Sequence, residues 1–329
     1  MNKKLWPIIG ILAAIVVVII IILSIPKQPS ALDEVRLKLD WKPGSEHAFY
    51  WYGLDKGYYA QEGLKLIIEP GEGSSVSTQM VGAGKSDFGI ASGETVMIAR
   101  SKEMPVVALA VLLQESPVVV YSLKEKGIEK PLDLIGKKLG TIIKSTAHPQ
   151  LLVFLEKNSI DEDKLEIIPV SGAPEELLTG RIDALLGYSF NQPPALLSKG
   201  YQLNFIKLLD YGVDVYSMSI LTNEEMIKTK PEIARKFMRA TTKAIRESIK
   251  NKPMAVAAFM KYNPEADESY QKLKFDKIAS LIGDGAEKSG GIGVQLEEGW
   301  RKTQDILLQA GLIDKEIRLA DFFTNEFLG

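Results

Sequence analysis

Short apolar strand patterns alternate with helical patterns from Val35 to Leu209, and no other feature constrains the fold of this chain as much. Sustained β–α alternation implies a largely parallel sheet covered by helices. Val35-Arg36-Leu37-Lys38-Leu39 alternates apolar and charged residues, the pattern of a half-buried strand. Ser45 is placed to cap a helix in which His47, Tyr50, Trp51, Leu54 and Tyr58 share one face. Further strands are expected over 64–68, 87–91 and 106–113, with helices through Val76 to Val81 and from Ser92-Gly93-Glu94 to near Lys102. A second series places strands over 117–123, 138–143, 165–170, 182–187 and 204–209, and the segment 216–222 reads as a strand crossing back. Beyond Thr222 the pattern is helical. Phe237, Ala240, Ala244 and Ile245 line one face after Pro231; Leu296, Trp300, Thr303 and Leu307 line another, stopped by Gly311. Gly283, Gly285, Gly290, Gly291 and Gly293 predict a loop between these helices. Trp51, Tyr58 and Trp300 are expected in the core.

Ahead of this body, Lys3 and Lys4 precede an uncharged apolar run from Ile8 to Ile25. At ~1.5 Å per residue, a helix of that length crosses a bilayer core of about 30 Å. The run is longer than the apolar core of a cleavable signal, and no small-x-small site precedes Pro26. A retained single-pass anchor is expected, with the lysines inside and everything after Ser30 extracellular or periplasmic.

The balance of 40 basic and 42 acidic residues argues against nucleic acid as a partner. The chain has no cysteine, which removes disulfides, thiolate zinc sites and thiol catalysis together. With only two histidines a histidine-based metal site is not expected, and no cofactor is called for.

Four stretches, in order, carry a resemblance: LDWKPGSEHAFYWYGLDKGYYAQEGLKL, GAGKSDFGIASGETVMIARSKEMPVVALAVLLQ, GIEKPLDLIGKKLGT and GRIDALLGYSFNQPPALLSKGY. They resemble the substrate-binding proteins of ABC importers in the thiamine-pyrimidine, riboflavin and alkanesulfonate group. The resemblance covers nearly everything from Val35 to Leu328. It implies an α/β, two-lobed type II periplasmic-binding-protein fold with a ligand cleft between the lobes. The anchor and linker would be residues 1–30, the first lobe 31–116 plus 217–329, and the second lobe 117–216, with crossings near Ser116-Pro117 and Tyr216.

The implied partners are a small-molecule ligand, an ABC permease and its ATPase, and the membrane through the N-terminal helix; the chain is expected to be a monomer. D-W-x-P-x-x-x-H resembles the thiamine-pyrimidine branch, as does the ending Thr324 to Leu328. Asn191-Gln192-Pro193 and Asp210 to Val213 resemble the riboflavin branch, and alkanesulfonate- or nitrate-type ligands remain open. The pyrimidine synthases of the group carry a lysine and a histidine where this chain has Ala91 and Thr95. A binding protein is therefore expected rather than an enzyme, with no catalytic residue.

In open parallel sheets, ligands bind beyond the carboxyl ends of the strands. Asp40-Trp41, Ser92, Glu94, Glu115, Ser145, Thr146 and Tyr188 all follow expected strands, and Asn191 opens a helix facing them. Trp41 and Tyr188 offer flat faces for a planar ring; Glu94 or Asp40 can accept from an exocyclic amine; His47 can meet a ring nitrogen. Ser145 and Thr146, with free N–H groups at a helix start, can hold a polar or anionic substituent. Each has a plainer alternative: Trp41 as a core aromatic, His47 as a cap or surface residue, Glu94 as a complement to a helix dipole. His148 reads as a solvated residue at a helix start.

Overall fold

The computed structural model describes residues 32–329 except Lys144 and Thr146. The run from Ile8 to Ile25 lies outside the described residues. Among the described residues no helix is long and apolar enough to cross a membrane.

β1 (Asp33–Lys38) leads through a 3-10 turn (Ser45–His47) into α1 (Ala48–Asp55) and α2 (Tyr58–Gln61). β2 (Leu64–Glu69), α3 (Ser74–Gly82), β3 (Phe88–Ala91), α4 (Gly93–Ser101) and β4 (Val106–Leu113) follow. The chain then passes into a second set: β5 (Val118–Leu123), β6 (Lys138–Thr141), α5 (Ala147–Lys157), β7 (Glu166–Pro169), α6 (Pro174–Leu178), β8 (Ala184–Tyr188), α7 (Gln192–Ser198) and β9 (Leu203–Lys207). It returns as β10 (Ser217–Asn223) and ends in helices α8 (Glu224–Thr229), α9 (Pro231–Lys250), α10 (Lys252–Tyr262), α11 (Glu268–Ser289) and α12 (Glu297–Gln309).

The strands form two five-stranded sheets, ordered β2-β1-β3-β10-β4 and β7-β6-β8-β5-β9. Both are mixed, which corrects the expectation of largely parallel sheets. β10 runs antiparallel to β3 and β4, with Ile220 opposite Ile90 and Ala110. β5 runs antiparallel to β8 and β9, whereas β6 is parallel to β7 and β8. The antiparallel strands are those on which the chain enters one sheet directly from the other. No crossover helix turns the chain back there, so nothing enforces a parallel direction.

Two local expectations also change. The single helix from Ser45 to Tyr58 is instead a 3-10 turn, α1 and α2, because Gly57 adopts φ +68° and breaks the helix. Gly283 and Gly285 lie inside α11 rather than in a loop; the chain turns only at Gly290, in the left-handed conformation that ends the helix. A Cβ on Gly285 would stand 3.0 Å from Cγ of Gln114, so the glycine lets α11 press against the chain leaving β4.

The first sheet is packed by α1 and α9 to α11. Phe88 stacks on Phe237 with ring centroids 3.8 Å apart, and Trp51 meets Phe259 edge-on at 5.1 Å. Trp300 is fully buried, edge-on to Phe322 and Tyr216. Phe237, Ala240, Ala244 and Ile245 of α9 are all buried, as their spacing requires. Tyr58 is only half-buried, under the Lys243 ammonium 4.1 Å from its ring.

Candidate functional site

The chain leaving β1 turns at Asp40-Trp41, and the backbone of the loop after β2 braces that turn. The Gly73 N–H donates to the Asp40 carbonyl at 2.7 Å and the Gly71 N–H to the Trp41 carbonyl at 2.9 Å. A Cβ on Gly71 would stand 2.1 Å from the Leu39 carbonyl oxygen, so only glycine permits this approach. The loop next supplies Ser74, whose Oγ accepts the Ser92 N–H at 3.1 Å.

These residues form one side of a cavity of about 190 Å³ that runs between the two sheets. Trp41 is 43% exposed and lines it, so the core reading of this indole does not hold. Tyr188, at the end of β8, and Asn191, at the start of α7, line the far side. Tyr188 stacks on Phe190 with centroids 5.5 Å apart, which fixes its ring. Oδ1 of Asn191 is buried without a hydrogen-bond partner among the described residues, an acceptor that a ligand donor would satisfy. Asp40, Ser92 and Ser145 also line the cavity. The Ser145 N–H is not free as expected, because it donates to the Ile142 carbonyl at 2.9 Å; its hydroxyl is the group on offer. Thr146 lies outside the described residues.

Three other expected site residues stand elsewhere. His47 is fully buried, because the 3-10 turn carries it inward. Its Nε2 is 2.8 Å from Asp40 Oδ1, so it orients the carboxylate and does not face the cavity. Glu94 is 3% exposed and off the cavity surface. Gln150 Nε2 donates to its Oε1 at 2.7 Å, and Ser116 Oγ donates to Gln150 Oε1 at 2.7 Å. This chain of bonds ties the start of α4 to α5 and to the segment joining β4 to β5. With no cation beside it among the described residues, burial pushes the Glu94 carboxyl up to about 7. Glu115 is exposed and paired with Lys288 of α11, on the rim of a separate groove of about 590 Å³. That groove is larger than the cavity, but none of the cavity's aromatic walls, its Asp40 or its unpartnered amide lies in it.

Sequence reasoning passed over Glu46. It lines the cavity, yet it is only 6% exposed, and its Oε2 is 2.6 Å from Nζ of Lys274 in α11. Burial raises its carboxyl, but Lys274 and then His47 outweigh that and hold it below the usual range. Its neighbour Ser45 is bound to the same helix: its N–H donates to Gln271 Oε1 and its hydroxyl to the Gln271 carbonyl, both at 2.8 Å. Glu46 was visible inside the Asp40–His47 stretch, but nothing in the sequence marks Lys274 as its partner. Among the described lining residues, Asp40 and Glu46 are the only charged ones. Among the described residues no group of three or more acidic or histidine side chains is placed to hold a metal ion.

Known proteins share this architecture. The family model described as "NMT1/THI5 like" matches residues 44–255. The formylaminopyrimidine-binding protein of Halalkalibacterium halodurans is 25% identical over 98% of this chain and 99% of its own length. The riboflavin-binding protein RibY of Chloroflexus aurantiacus is 24% identical over 92% and 88%. THI5 of Saccharomyces cerevisiae, a 4-amino-5-hydroxymethyl-2-methylpyrimidine phosphate synthase, is 27% identical over 74% and 75%. Among solved structures, the periplasmic aliphatic sulphonate binding protein SsuA of Escherichia coli superposes with a TM-score of 0.64 at 13% identity, over 88% of this chain and 96% of that one. That likeness shows the two-sheet periplasmic-binding-protein fold.

Proposed function

The chain belongs to the NMT1/THI5-like family, and from that premise we propose that it is the extracytoplasmic ligand-binding component of an ABC importer, taking a small amino-substituted heteroaromatic compound of the thiamine-pyrimidine type. One observation carries the ligand class. Between the indole of Trp41 and the ring of Tyr188, the charged side chains among the described lining residues are two carboxylates, Asp40 and Glu46, each with a buried basic partner behind it. An aminopyrimidine offers a flat face to the rings and N–H donors to the carboxylates. A sulfonate or phosphate, which carries acceptors and no N–H donors, would meet acceptors at both carboxylates.

In this reading residues 31–116 plus 217–329 form one lobe and 117–216 the other, and they close on the ligand. The segment from Ile8 to Ile25 anchors a monomer beside its permease, where tethering keeps the ligand at high effective concentration. Delivery rather than chemistry is the role. No lysine lines the cavity among the described residues, and Lys42, Lys85 and Lys102 are all exposed.

Thermal unfolding of the purified protein tests the assignment against 4-amino-5-hydroxymethyl-2-methylpyrimidine, its formylaminomethyl analogue, thiamine, riboflavin and ethanesulfonate. A ligand at a hundred times its Kd adds about 2.7 kcal/mol to stability. Stabilisation by the aminopyrimidines is expected. Stabilisation by riboflavin alone would move the protein to the RibY-like reading, and by ethanesulfonate alone would overturn the argument from charge. A Schiff-base absorbance with pyridoxal phosphate would overturn the binding-only role.

A further inference from the structure

The carboxylates that line the cavity are each backed by a buried base, Asp40 by His47 and Glu46 by Lys274. The second pair is the unusual one. Lys274 is 7% exposed, and its ammonium reaches Glu46 at the cavity wall from a helix whose Phe275, Ile278, Ala279 and Ile282 lie in the core. Lysine is seldom buried at all, and desolvating both ions is costly unless their geometry is good. The surroundings are built to keep this pair. Gln271, one turn earlier on α11, holds Ser45 by two hydrogen bonds. Gly44 leaves the space into which the carboxylate folds, since a Cβ there would stand 2.2 Å from Glu46 Oε2. The Tyr270 ring lies 5.9 Å from the ammonium. A pair with no role at the cavity would be replaceable by apolar side chains of similar volume with little loss of stability.

We propose that Lys274 is a specificity-setting positioning residue: it clamps the Glu46 carboxylate at the cavity surface, so that Glu46 and Asp40 together select a ligand edge bearing N–H donors, as an amino-substituted nitrogen heterocycle does. The selectivity rests on the binding role proposed above; the clamp itself does not. Lys274 and Tyr270 from α11, and His47 and Asp40 from the stretch that carries Glu46, are the titratable groups that face or flank this carboxylate. Lys274 is the partner that touches it, and the Tyr270 phenol beside the pair is pushed up by its own burial, with the Glu46 charge adding to that and Lys274 opposing it. Removing the ammonium leaves burial to dominate. The carboxyl then binds a proton more readily than in wild type, and once protonated it ceases to be a full acceptor.

The test compares two probes on the full-length protein, 4-amino-5-hydroxymethyl-2-methylpyrimidine and the same pyrimidine lacking the 4-amino group. Wild type is expected to prefer the amino probe by roughly tenfold or more, the worth of a charge-assisted hydrogen bond. Lys274→Arg should keep that preference. Glu46→Gln should lower it at every pH. Lys274→Met should lower it, and by more at low pH than at high pH. The double variant Glu46→Gln/Lys274→Met removes both charges, so it retains a folded protein in which the preference can be read even where Lys274→Met alone does not fold.

A wild-type preference in Glu46→Gln, or the same loss in Lys274→Arg and Lys274→Met, would overturn the proposal. Carboxyl carbon NMR of Glu46 supplies a readout without ligand: it should show no titration between pH 5 and 8 in wild type. Titration in that range overturns the clamp. Failure of wild type to bind either pyrimidine, with Glu46 ionised throughout, instead overturns the ligand assignment and the selectivity drawn from it.

Discussion

Glu46 and Glu94 are both glutamates closed off from solvent beside the same cavity, and burial acts on both in the same direction. Their outcomes are opposite. Glu46 has an ammonium at 2.6 Å and a histidine next to it, and stays ionised. Glu94 has an amide, a serine and its own backbone, and is raised to about 7. Hydrogen bonds from neutral donors do not offset the loss of water around a carboxylate here; a cation does. The first glutamate presents a fixed charge to the cavity. The second is a proton-binding group within bonds that tie α4 to α5, and its charge changes near neutral pH.

The strongest way to break this contrast is to remove the cation. Lys274→Met leaves an uncompensated buried carboxylate and should cost about 3–5 kcal/mol in denaturant unfolding at pH 8. Glu94 is tested by pH. Its folded value, about 7, lies above its ordinary 4.5, so the native state binds the extra proton between them. Its contribution to stability is therefore full near pH 4.5 and lost as pH rises to about 7, by roughly 3 kcal/mol in all. In Glu94→Gln that portion of the pH dependence should vanish, leaving a flatter profile of melting temperature; an unchanged slope would assign it to other groups. Trp41→Ala sharpens the ligand side of the comparison. Loss of a stacking face should weaken the aminopyrimidine by about 1–2 kcal/mol, roughly tenfold in Kd, without lowering stability much, because the indole is already exposed. Smallest of all, Glu115→Ala breaks another glutamate–lysine pair, but an exposed one, and should change stability by under about 1 kcal/mol.

The strands and most helices could be read from the sequence, because their apolar spacing records which face is covered. Strand direction could not. Nothing in Ser217–Asn223 states that it will lie between β3 and β4 and oppose both. At the site, Asp40, Trp41, Tyr188 and Asn191 were legible from their places after strands or before a helix. His47 was misjudged because a 3-10 turn, rather than the start of an α-helix, sets where its imidazole points. Lys274 was invisible, since one lysine among the charged residues of α11 differs from the rest only in what packs over it. Gly283 and Gly285 misled for a related reason: glycine marks close packing as well as turns, and only the neighbour, Gln114, tells the two apart.

The position of β10 bears on how the molecule comes into being. It fills the gap between β3 and β4, yet every strand of the other sheet precedes it along the chain. As the polypeptide leaves the ribosome, β3 and β4 emerge early and wait with facing edges unpaired until residue 223 is made. The second sheet can meanwhile assemble from local pieces. The first sheet is thus completed only after the second, and the edges of β3 and β4 are its exposure to mispairing until β10 arrives.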